Sequence, residues 1–175
     1  MHITETERLV IREFEENDTN DLYEMLGDRE TMECLEPPYD KASTEKFLQS
    51  FCIGKKGALA AVNKDGGKVI GYLLFNCPDC PNIYELGWII NKSYWKQGYA
   101  YEACSALIGY AFDTHKADKI FAETVDAAKS VGLMKKLGMK ENAEQRKTVK
   151  NAAGQSVYMY YYEITKEDYM KTRLR

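Results

Sequence analysis

The segment Ile83-Tyr84-Glu85-Leu86-Gly87-Trp88-Ile89-Ile90-Asn91-Lys92-Ser93-Tyr94-Trp95-Lys96-Gln97-Gly98-Tyr99-Ala100-Tyr101-Glu102-Ala103 is the most informative part of the chain. Ile83–Ile90 is rich enough in β-branched and aromatic residues to form a strand. Asn91 to Gln97 is a polar turn. Beyond Gly98, the residues Ala103, Leu107, Ala111 and Phe112 recur at the spacing of one helical face. A strand running through a short loop and a glycine into a helix exposes unpaired backbone N–H groups at the positive end of the helix dipole. Gly98 and Ala100 lack bulk, so a phosphate can approach the backbone closely, and Lys96 adds positive charge. A plain tight turn would use the same residues. Neither G-x-G-x-x-G nor G-x-x-x-x-G-K-[ST] is present, so a phosphate site here is of another kind.

Toward the N-terminus, Arg8–Phe14 reads as a first strand. A helix capped by Asn17 or Asp18 follows, with Leu22, Met25 and Leu26 on its inner face. Ser43 or Thr44 starts a second helix carrying Phe47, Leu48 and Phe51. Ala58–Val62 and Val69–Phe75 flank Lys64-Asp65-Gly66-Gly67, a hairpin signal. After the central strand and helix come a strand over Lys119–Thr124 and a helix over Ala128–Leu137 stopped by Gly138. Strands over Met139–Lys150 and Gln155–Ile164 and a short helix from Lys166 complete the chain. The order β α α β β β α β α β β predicts an α/β (α+β) fold with a mixed sheet, and the lack of repeats or linkers predicts one domain over residues 1–175.

The 175 residues include 45% hydrophobic and 29% charged side chains, a globular composition. A formal net charge of -3 argues against a nucleic-acid partner held by bulk positive charge. No segment has the run of about 20 apolar residues that spans a membrane. The first residues lack the apolar core of a signal peptide, so a cytoplasmic location with five reduced cysteines is expected. Cys77-Pro78-Asp79-Cys80 has metal or redox spacing, but no second close Cys or His pair accompanies it. A surface turn is the expected reading, and no metal is expected.

At this point the sequence resembles the GNAT superfamily of acetyl-CoA-dependent N-acetyltransferases, and most closely its Rim-type branch. Thr6-Glu7-Arg8-Leu9-Val10-Ile11-Arg12 is similar to that branch's opening strand, and Tyr84–Ile90 to its fourth strand. Trp95–Ala103 resembles the coenzyme A pyrophosphate loop, and Ser130 through Lys136-Leu137-Gly138-Met139 the later helix. The resemblance implies a mostly antiparallel sheet, splayed at the cofactor site and flanked by helices. It implies that backbone N–H groups from Gln97, Gly98, Tyr99, Ala100 and Tyr101, with Lys96 nearby, hold the pyrophosphate. It further implies that the strand at Trp88, Ile89 and Ile90 pairs with the pantetheine arm. Two positions depart from the family: Ala127 stands where relatives carry Asn, and Met134 where many carry a tyrosine acid.

Acetyl transfer to an amine requires a neutral nitrogen, a polarised thioester and a proton for the leaving thiolate. Ser130 is the candidate acid by the same resemblance, or it merely begins a helical turn. Glu85, sharing a strand face with Gly87 and Ile89, is the candidate base, or it holds an ammonium by charge. The tyrosines Tyr158, Tyr160, Tyr161 and Tyr162 fit a strand buried on both faces; the alternative is an acceptor pocket or a homodimer contact. The expected activity is transfer from acetyl-CoA to a primary amine, on a protein N-terminus or a small molecule. A non-catalytic acetyl-CoA sensor is the alternative.

Overall fold

The computed structural model describes residues 1–77, 81–151 and 154–173. Its strands are β1 (His2–Glu5), β2 (Leu9–Glu13), β3 (Ala58–Asn63), β4 (Val69–Asn76), β5 (Ile83–Ile90), β6 (Lys119–Thr124), β7 (Lys140–Glu141), β8 (Lys147–Lys150) and β9 (Ser156–Thr165). The helices are α1 (Thr19–Leu26), α2 (Lys41–Phe47), α3 (Tyr99–Asp113), α4 (Ser130–Lys136) and α5 (Lys166–Arg173). The sheet runs β1-β2-β3-β4-β5-β6-β9-β7, with β8 also on β9. Every pairing is antiparallel except β5 with β6. The mixed sheet expected from the element order is observed, and it is mostly antiparallel, as the resemblance implies.

Alternation along the strands divides the apolar residues between two cores. Leu9, Ile11, Leu73, Leu86 and Ile120 pack with Ala103, Leu107 and Phe112 of α3 and Met134 of α4. On the other face, Ala60 and Tyr72 pack with Leu22, Met25 and Leu26 of α1 and with Leu48 and Cys52. β3 is buried along its whole length, as a strand covered on both faces must be.

Several element boundaries differ from the sequence reading. β1 is an additional strand, a short polar segment stabilised by its pairing with β2. The cap of α2 is Asp40, whose carboxylate accepts from the Ser43 N–H at 2.7 Å; helix therefore begins ahead of Ser43 and Thr44. That helix continues through Leu48–Ile53 with wider turns, closed by Gly54 N–H donating to the Gln49 carbonyl at 3.0 Å. α4 begins at Ser130 rather than Ala128, because Asp126 folds the preceding residues into a turn by accepting from the Ala128 and Lys129 N–H groups. The long strand expected over Met139–Lys150 is split into β7 and β8 by a short helical turn at Ala143–Gln145. Among the described residues, no helix is long and apolar enough to cross a membrane.

Candidate active site

β5 and β6 are paired only at Ile83–Lys119, Tyr84–Ile120 and Glu85–Phe121. Beyond that point β5 continues to Ile90 against β4, and β6 continues to Thr124 against β9. The facing edges of Leu86–Ile90 and Ala122–Thr124 are therefore unpaired, and the sheet opens as a wedge from Glu85–Phe121. Trp88, Ile89 and Ile90 lie on the open edge.

The loop following Ile90 closes the end of this strand. Asn91 is buried and donates from Nδ2 to Glu24 of α1 at 3.0 Å, while Lys92 Nζ meets Asp28 at 2.5 Å. The Trp95 indole N–H donates to the Ile90 carbonyl at 2.6 Å, folding the loop back on the strand end. Lys129, just before α4, lies 5.6 Å from the centre of the Trp95 ring. Lys96 (φ 58°) and Gly98 (φ 85°) both take the left-handed conformation, on either side of Gln97. Such a turn gathers successive amides into a concavity suited to an anion. The first amide beyond it with a backbone acceptor is that of Glu102, which donates to the Gly98 carbonyl at 3.0 Å. The N–H groups of Gln97 through Tyr101 have no acceptor among the described residues. Tyr99 is buried in the core, so its backbone and not its ring is at the loop surface; Tyr101 is 45% exposed. This donor set, without side-chain bulk at Gly98 or Ala100, fits a diphosphate.

The loop is also braced by the residues that lead into β2. Glu102 Oε1 accepts from the Thr6 hydroxyl at 2.5 Å and the Arg8 backbone N–H at 2.9 Å. Its Oε2 takes the Arg8 guanidinium, at 2.7 Å from Nε and 2.6 Å from Nη2. Arg8 Nη1 donates to the Gln97 carbonyl at 3.0 Å, and the guanidinium lies 4.1 Å from the centre of the Tyr99 ring. Burial opposes ionisation of Glu102, yet these donors outweigh it and hold its carboxyl below the usual range.

At the apex of the wedge, Glu85 shares a face with Phe121, its β6 partner, and with Glu123 two residues on. Burial, reinforced by the charge of Glu123, raises the Glu85 carboxyl above its ordinary value. Asn76, its partner on β4, has a buried Oδ1 with no hydrogen-bond donor among the described residues. Tyr161 stacks on Phe121 at 5.1 Å, so it borders the Glu85 face, whereas Tyr162 is in the core. Asn76, Glu123 and Tyr161 join Glu85 through strand register, which no local motif reveals.

Ser130 lies on the other side. α4 packs into the α3 core, with Met134 only 1% exposed, and Ser130 sits one turn before Met134 on the same helix face. By alternation with Leu86, which packs into the α3 and α4 core, Glu85 points to the opposite face of the sheet from the one that α4 and Ser130 cover. Ala127 is exposed in the turn that Asp126 organises. Among the described residues no group of His, Cys, Asp and Glu is arranged to hold a metal ion. Of the Cys77–Cys80 pair, Cys80 lies outside the described residues.

Comparisons with known proteins show what the chain is similar to. The acetyltransferase (GNAT) domain family matches residues 8–140. The chain is 32% identical to YnaD of Bacillus subtilis (strain 168), described as an uncharacterized N-acetyltransferase, over 97% of this chain and 99% of that protein. A GNAT-family acetyltransferase structure from Bacillus anthracis superposes with a TM-score of 0.86 at 26% identity, covering 95% of this chain and 99% of that one. The fold also matches RimL, a ribosomal L7/L12 α-N-protein acetyltransferase solved with coenzyme A. There the TM-score is 0.77 at 16% identity, over 94% and 98% of the two chains.

Proposed function

This chain belongs to the GNAT acetyltransferase family, and from that premise we propose that it transfers the acetyl group of acetyl-CoA to a primary amine by direct attack. The observation carrying the reading is the run of unpaired amides from Gln97 to Tyr101 at the open end of a wedge in the sheet. The amides would hold the diphosphate, with Lys96 adding charge. The free edge of Trp88, Ile89 and Ile90 would pair with the amides of the pantetheine arm as an added strand would. The acceptor is an α-amino group of a polypeptide or the amine of a small molecule.

Glu85 suits the acceptor side. A carboxylate with a raised pKa takes a proton from an ammonium more readily than an ordinary one does, and the Asn76 carbonyl oxygen beside it offers a further acceptor. Ser130 suits the thiol side, from the opposite face, where Met134 has no proton to give. The reaction forms a C–N bond and breaks the thioester C–S bond, so one face must accept a proton and the other supply one. An amine panel with thiol detection tests the reading: coenzyme A release dependent on one class of amine is expected. Acetyl-CoA binding without release for any amine would leave the sensor reading, which Met134 in place of a proton-donating side chain favours.

A further inference from the structure

We propose that Arg8 is a positioning residue for acetyl-CoA, acting through the Gln97 carbonyl and Glu102 to set the direction of the diphosphate-binding amides. This rests on the placement of the diphosphate at the Gln97–Tyr101 loop. The C=O and following N–H of a trans peptide point in opposite directions. Arg8 Nη1 holds the Gln97 carbonyl at 3.0 Å, so the Gly98 N–H is turned away from Arg8, toward the open side of the loop. Gly98 has an intrinsically permissive backbone, and at φ 85° this peptide would otherwise be free to flip. The anchor is itself fixed. Glu102, in the first turn of α3, grips the Arg8 guanidinium and backbone N–H, and its own N–H returns to the Gly98 carbonyl. The loop, the helix start and the beginning of β2 form a closed circuit across 94 residues of sequence.

Arg8 also solves an electrostatic problem. A bare carboxylate at Glu102 would lie at the helix terminus that receives a diphosphate and would repel it. The guanidinium, 2.6 Å away, neutralises that charge. Gly98 faces the same group: a Cβ built there would lie 3.5 Å from Arg8 Nη2.

The test compares coenzyme A with pantetheine, which lacks the diphosphate, on Arg8→Gln, Arg8→Lys and Glu102→Ala. Binding is followed by calorimetry for coenzyme A and by NMR titration for pantetheine. Arg8→Gln should weaken coenzyme A binding about tenfold or more, as for loss of a charged hydrogen bond, with pantetheine affinity within about twofold. Arg8→Lys should fall between. Glu102→Ala separates positioning from simple charge: positioning requires weaker coenzyme A binding, whereas unmasked Arg8 charge alone would tighten it. Equal losses for both ligands, tighter binding by Glu102→Ala, or no loss in Arg8→Gln would overturn the proposal while leaving the diphosphate site in place. If the wild-type protein bound coenzyme A no better than pantetheine, the site itself would fall, and the role of Arg8 with it.

Discussion

Glu85 and Phe121 are the last pair at which β5 and β6 remain in register, and the carboxylate stands at the point where the sheet parts. Its raised pKa follows first from burial and then from Glu123. Loss of a general base typically slows turnover by about 10²–10⁴-fold. Glu85→Gln should therefore lower kcat by about 100-fold and abolish the acidic limb of the pH–rate profile. An unaltered limb would leave Glu85 with a binding role only.

Glu123→Gln supplies the signed counterpart. Removing a neighbouring negative charge favours the ionised form of Glu85, so the acidic limb should move to lower pH while the limb itself survives. A shift toward higher pH would contradict this geometry. The pH dependence of kcat/KM in the variant is the measurement.

Gly98→Glu puts a side chain at φ 85°, its Cβ 3.5 Å from Arg8 Nη2, and adds a negative charge beside the loop that would hold the diphosphate. Two like charges about 4 Å apart near a protein surface cost on the order of 4 kcal/mol, or about a thousandfold in affinity. Calorimetry should find no measurable coenzyme A binding, with the fold intact by circular dichroism. Unchanged affinity would refute the assignment of this loop.

Ser130 and Met134 are neighbours on one helical face with opposite expected behaviour. Ser130→Ala should reduce kcat about tenfold or more without altering coenzyme A affinity, since proton donation acts on the reaction and not on binding. Met134→Ala should cost stability instead of rate. At 1% exposure it leaves a core cavity worth about 2–5 kcal/mol, with Tm falling by roughly 5–15 °C and little change in kcat at low temperature.

Asp28 gives a prediction on stability. The Lys92 ammonium, followed by the Thr31 N–H, lowers its pKa to about 2. An ordinary unfolded-state value is about 3.9, so the native state is favoured above that pH, and the advantage disappears as pH falls through 2. Asp28→Asn should melt below wild type at pH 6, and the gap should close between about pH 4 and pH 2. A gap independent of pH would mean the pair contributes through shape rather than charge.

The parts of this site legible in the sequence are those in which cause and effect lie within a few residues. Gly98 before a helix, the small Ala100, and the apolar run of Ile83–Ile90 carry their conformations locally. The role of Glu102 is hidden in the sequence because its bonds to Thr6 and Arg8 come from the far end of the chain. The orphan Oδ1 of Asn76 and the charge of Glu123 depend on strand register, and register is set by the whole sheet. Asp40 is masked as a cap by Ser43 and Thr44, which also have capping side chains but lie inside the helix. β1 has too few residues and too little apolar character to announce itself without its partner.

The wedge has a further consequence for how the protein behaves in a crowded solution. An unpaired strand edge at the rim of a sheet invites another chain to dock and seed aggregation. Here the free edges of β5 and β6 face each other, flanked by β4 and β9 and joined at Glu85–Phe121. A slender, flexible molecule with a few amides can slide between them, whereas a folded protein's strand brings neighbours that do not fit. The two facing edges therefore leave hydrogen-bonding groups open without forming an outer rim of the sheet.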